Sequence, residues 1–124
     1  MSFLNLTRAQ LPLIPSKEFL IIDRLKKGVL DESISAIILL HAVWSAPSVK
    51  CLNEYSKAFD DCDSLKQVKF KILNLDNLEV SFLQELPINV GGNGETFFIV
   101  DGKIAHSIPH FADDFLEQLI KYYI

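Results

Sequence analysis

Eight consecutive residues, Ala36-Ile37-Ile38-Leu39-Leu40-His41-Ala42-Val43, are apolar apart from a single histidine. A run that does not alternate offers water neither face. It therefore belongs at the centre of a sheet covered on both sides. It is also far shorter than the roughly 20 residues a membrane-spanning helix needs. The run leads to Trp44 and then to Ser45-Ala46-Pro47-Ser48. Proline is tolerated in the first turn of a helix, and Val49, Leu52, Tyr55 and Phe59 then recur at helical spacing. A helix to about Asp61 is predicted, with Lys50, Glu54 and Lys57 towards water.

The flanking segments extend the pattern. Residues 1–15 read as an irregular extension, with Phe3 to Thr7 as a short edge strand. Ser16 suits an N-cap, and Phe19, Ile22, Leu25 and Val29 predict a helix over 16–29. Gln67 to Asn74 reads as a strand. Asn77 is placed to cap a helix carrying Val80, Leu83 and Leu86, stopped near Pro87. Gly91-Gly92-Asn93-Gly94 reads as a flexible loop. Thr96 to Val100 and Ile104 to Ile108 form a hairpin about Asp101-Gly102. A last helix opens at Asp113 and Asp114, with Phe115, Leu119 and Tyr122 on one side. Strand–helix alternation followed by a hairpin predicts an α/β fold: a central mixed sheet of four to five strands, with helices on both faces. Its 124 residues are expected to form one domain over 1–124.

The net charge of −4 and the scattered lysines argue against nucleic acid as a partner. Met1 to Thr7 lacks the pattern of a secretory leader, and no membrane association is expected. Cys51 and Cys62 lie eleven positions apart, 62 − 51, on one predicted helix, beyond disulfide reach. Unpaired thiols of this kind point to a cytoplasmic location.

The element order, the strand ending at Trp44 and the motif Trp44-Ser45-Ala46-Pro47-Ser48 resemble the thioredoxin-like superfamily. Its members carry Trp-Cys-x-Pro-Cys at this turn. Gly94-Glu95-Thr96-Phe97-Phe98-Ile99-Val100-Asp101-Gly102 is similar to the family's Pro-Thr-leading strand and hairpin. The resemblance covers residues 16–124 and implies the thioredoxin-like fold. The departures are as informative. The family's first cysteine attacks a substrate disulfide as a thiolate and the second resolves the intermediate. Here both positions are serine, Ser45 and Ser48. The family's cis-proline is replaced by Gly94, where a trans peptide is expected. Its buried aspartate, five residues before the tryptophan, is replaced by Leu39. An engineered knock-out would change only the cysteines, so four changed positions favour a natural drift from redox work.

The other candidates have plainer readings. Ser48 is expected to help satisfy the helix amides, and nothing around either serine resembles a nucleophile elbow. Cys51 is a displaced thiol site only if exposed near positive charge. His41, His106 and His110 have no zinc-like spacing, so no metal or cofactor is expected, and His41 reads as a satisfied core or rim residue. Asp60, Asp61 and Asp63 lack a calcium loop's ligand ladder. The glycine loop leads into a strand rather than the helix start that a phosphate site uses.

Two functional readings follow from the resemblance. The first is a non-catalytic, protein-binding, chaperone-like or scaffolding module. Its partner is another protein or an extended polypeptide, held by Trp44, Ala46, Pro47, Asn93 and Gly94. The alternative is a thiol-disulfide oxidoreductase whose two active-site cysteines have been replaced by serine at Ser45 and Ser48. As the chain stands, no enzymatic activity is expected.

Overall fold

The computed structural model describes residues 2–11, 19–24, 35–65, 67–110 and 114–123. The elements are α1 (Phe3–Gln10), β1 (Leu20–Ile22), β2 (Ser35–His41), α2 (Ala46–Asp61), β3 (Lys69–Asn74), α3 (Val80–Gln84), β4 (Thr96–Val100), β5 (Lys103–Ile108) and α4 (Phe115–Tyr123). They build a five-stranded sheet in the order β1-β3-β2-β4-β5. β3 runs parallel to both β1 and β2, whereas β2–β4 and β4–β5 are antiparallel. The expected α/β mixed sheet is thus present, with β2 at its centre.

Alternation along β2 divides the core. Ile37 and Leu39 join Leu52, Tyr55, Phe59, Phe70 and Phe98 on the face covered by α1, α2 and α4. Ala36, Ile38 and Leu40 join Leu73, Phe97 and Ile99 on the other, covered by Leu75, Leu78, Leu86, Ile88 and Val90 from the segment around α3. Every residue from Ala36 to Leu40 is fully enclosed. This is what the unalternating apolar run requires.

Three expectations are corrected. Phe3 to Thr7 is helical: Ser2 caps α1 by accepting from the Asn5 amide, and Phe3 and Thr7, one turn apart, face inward. Within the predicted 16–29 helix, Leu20–Ile22 is instead a strand paired with Lys71–Leu73, while 16–18 and 25–29 lie outside the described residues. The open edge of β3 satisfies its backbone through that strand, and Phe19 packs edge-on against Phe70 at 5.0 Å. Asn77 does not cap α3, whose N-cap is Glu79. Its amide donates to Asp23 Oδ1 instead. The described part of the last helix, α4, is as expected, with Phe115 and Leu119 in the core and Tyr122 packed against it.

Candidate functional site

The turn between β2 and α2 and the loop before β4 meet at one end of the sheet. Ser45 is the N-cap of α2 in extended conformation, and Pro47 lies in the first turn. The Ser45 side chain makes no capping bond; its hydroxyl donates to the Gly92 carbonyl and so ties the turn to the loop. Trp44 lies on the same loop, 64 % exposed. A Cβ at Gly92 would come within 2.6 Å of its ring, and Gly92 has φ +83°. The indole N–H donates to both carboxylate oxygens of Asp76 at 3.1 Å, which fixes the ring's orientation. Ala46, Pro47 and Asn93 are exposed beside it.

The glycine loop is pinned rather than loose, which corrects the flexible-loop expectation. Glu95 is fully buried. Its carboxylate accepts from the amides of Gly91 at 2.8 Å and Asn93 at 3.0 Å. The Gly94 carbonyl accepts from the Thr96 hydroxyl at 2.9 Å. No cis peptide bond occurs among the described residues, so the Gly94 position is trans, as expected. Gly94 is itself buried, with φ +83°, and a Cβ there would collide with Cys51 Sγ and approach the Pro47 carbonyl at 3.3 Å. It shapes the surface from below and does not line it. A glycine is required on both counts.

Ser48 also departs from expectation. It is fully buried and does not serve the helix amides. Its hydroxyl accepts from the Ala42 amide at 2.9 Å and lies 2.7 Å from His41 Nδ1. The other imidazole nitrogen is 2.7 Å from Gln10 Oε1, and Gln10 Nε2 donates to the Val43 carbonyl at 2.9 Å. The last bond makes Oε1 the acceptor. His41 then carries its proton on Nε2, and the Ser48 hydroxyl donates to Nδ1. Every group in this chain is satisfied with a neutral imidazole. Burial pushes the His41 pKa down to about 4, consistent with that state. The serine–histidine pair has the spacing of a nucleophile and its base, yet both residues are sealed from solvent. His41 is thus the satisfied core histidine that the sequence led us to expect.

Cys51 lies beneath the site, 1 % exposed. Burial, reinforced by the negative charge of Glu95, pushes its thiol up to about 12. A thiol that stays protonated is a poor nucleophile, so the displaced-thiol reading fails its own criterion. Leu39 is fully enclosed in the apolar cluster that holds Cys51 and Leu52. His106 stacks on Tyr122 at 5.2 Å. Asp60, Asp61 and Asp63 are exposed. No group of three metal-ligating side chains occurs among the described residues. Nor is any helix among them long and apolar enough to cross a membrane.

Sequence reasoning missed Gln10, Asp76 and the role of Glu95. Gln10 and Asp76 act across 31 and 32 positions and leave no local pattern. Glu95 had a signal: a loop rich in unpaired amides needs an acceptor, and a glutamate follows it directly.

No protein-family model matches the chain, and no curated protein matches it by sequence. Solved structures do. The thioredoxin of Malassezia sympodialis superposes with a TM-score of 0.68 at 18 % identity, over 90 % of this chain and 95 % of that one. The oxidised thioredoxin of Plasmodium falciparum gives 0.65 at 17 %, over 86 % and 100 %. The thioredoxin of Trypanosoma brucei brucei gives 0.58 at 17 %, over 88 % and 95 %. Likeness at this identity speaks for architecture, which the strand order supports independently: the chain has the thioredoxin fold, with Ser45 and Ser48 at the turn from β2 into α2.

Proposed function

We propose that this chain is a non-catalytic thioredoxin-fold module that binds another protein through the face bearing Trp44, Ala46, Pro47 and Asn93. One observation carries the reading: both serine hydroxyls are committed to intramolecular hydrogen bonds, Ser45 to the loop and Ser48 to the end of β2. Serines serving only as inert stand-ins for cysteine would have no reason to be built into the site. Their bonds go together with the pinned loop and with a leucine in place of a buried carboxylate. Cytoplasmic placement fits the two unpaired thiols.

The loop also bears on how a partner is held. The amides of Gly91 and Asn93 and the carbonyls of Gly92 and Gly94 already have partners within the chain. Those four groups are closed to strand-like pairing with an extended polypeptide, which shifts recognition towards side chains. Trp44 is the anchor, a large amphipathic ring whose orientation is already fixed.

The reading is tested with the Ser45→Cys/Ser48→Cys variant in an insulin-disulfide reduction assay, the unmodified chain serving as control. A folded variant without turnover is expected. Robust turnover would return the chain to the oxidoreductases, as one whose cysteines had been replaced. Gly94→Pro is not a usable restoration, because proline holds φ near −65° and this backbone sits at +83°. In parallel, Trp44→Ala is expected to weaken binding of a permanently unfolded polypeptide at least about tenfold, as loss of a buried aromatic anchor does. Equal binding by both proteins would remove this face from the reading.

A further inference from the structure

The chain Val43–Gln10–His41–Ser48–Ala42 joins three elements: α1 through Gln10, the end of β2 through His41 and α2 through Ser48. We propose that His41 is an acid-sensitive latch that holds α1 against the β2–α2 turn and releases it when the imidazole is protonated. The inference goes beyond the binding reading and does not rest on it.

The argument begins with donors and acceptors. A neutral imidazole accepts at one nitrogen and donates at the other, and the surroundings offer one partner of each kind. Protonation makes both nitrogens donors. Gln10 Oε1 still accepts from Nε2. Nδ1 would then point its new proton at a Ser48 oxygen that already accepts from the Ala42 amide, and Ser48 would lose the nitrogen to which it donates. The added charge would also sit where no water reaches it.

The groups facing His41 give that charge little relief. Phe3 of α1 lies 6.1 Å away, ring to ring. Gln10 of α1 and Ser48 of α2 are neutral. Asn74 of β3 is the register partner of His41 and is uncharged. Asp23 bonds to Asn74, and its Oδ1 already accepts from both Asn74 and Asn77. Cys51, one turn further along α2, is a protonated thiol, and Arg8 of α1 is exposed. Burial is accordingly what depresses the basicity of His41.

The lid over the imidazole is weakly built at one point. Thr7 lies on the inner side of α1, fully buried, and its hydroxyl has no hydrogen-bond partner among the described residues. Undocking α1 would give water to Thr7 Oγ1 and to the imidazolium at once. The sheet gains nothing comparable from opening, so the response falls on α1.

Amide hydrogen exchange, corrected for its intrinsic pH dependence, tests the proposal in the full chain between about pH 7 and 4.5. Protection of residues 3–10 is expected to fall more than about tenfold and to stay well below that of β2 and β3 amides, which exchange only when the whole domain opens. The Gln10→Glu variant places a carboxylate on Nε2–H. It is expected to raise the His41 titration midpoint, read from the imidazole C–H resonance, and to keep α1 protected at the lower pH. Protection of α1 that is no lower than that of the sheet, protection of α1 that does not change with pH, or a Gln10→Glu variant that opens like the parent would each overturn the latch.

Discussion

Gly94 concentrates the site's constraints in one residue. Its backbone is left-handed, and the space a side chain would fill is occupied by Cys51. Gly94→Ala therefore carries about 1–2 kcal/mol of backbone cost, to which the collision adds. Cys51→Ala removes the collision and leaves the backbone cost. The double variant is expected to be less destabilised than the sum of the two single ones, measured by urea denaturation. Strict additivity would mean that the two residues do not share that space. Glu95 works at the same scale, since one buried carboxylate satisfies two loop amides, those of Gly91 and Asn93.

At the scale of elements, α2 links the core to the site. Its buried apolar residues Cys51, Leu52, Tyr55, Ala58 and Phe59 form one stripe, and its N-terminal end carries Ser45 as cap and Ser48 in the first turn. Leu52 is fully enclosed between β2 and the aromatic cluster, where Phe59 stacks on Phe70 at 5.2 Å. Leu52→Ala is expected to cost about 2–5 kcal/mol, the range for emptying a core leucine position. The loss is read as a lower midpoint of thermal unfolding. A cost of only a few tenths would mean that α2 does not seat against β2 as described. Tyr123 secures α4 at the opposite end, its hydroxyl donating to the Ala36 and Ile99 carbonyls at 2.7 and 3.1 Å.

For the whole molecule, the buried imidazole makes stability depend on pH. The folded value of about 4 lies below the ordinary 6.5, so the unfolded chain binds the proton first. The His41 contribution is complete above about pH 6.5 and drains away as pH falls towards 4, to a total of about 3 kcal/mol. Urea denaturation at a series of pH values is expected to show this decline, and His41→Gln to flatten it. An equal slope in both proteins would assign it to carboxylates instead.

Local pattern was enough to place much of the fold. The unalternating run 36–43 dictated a central strand, because only a sheet covered on both faces buries every side chain of such a run. The stripe on α2 and the Asp101-Gly102 hairpin followed from side-chain period and turn chemistry. The motif at Trp44 marked the candidate site, with serine at the two positions where the family it resembles has cysteine. Elements whose state depends on a distant neighbour were not legible. α1 is a helix because Ser2 caps it and its inner face finds α2 and His41. Leu20–Ile22 is a strand because β3 leaves an edge open beside it. Tertiary structure alone brought Gln10 to His41, Asp76 to Trp44 and Cys51 beneath Gly94. Those meetings depend on where the chain returns in space, and no local period records that.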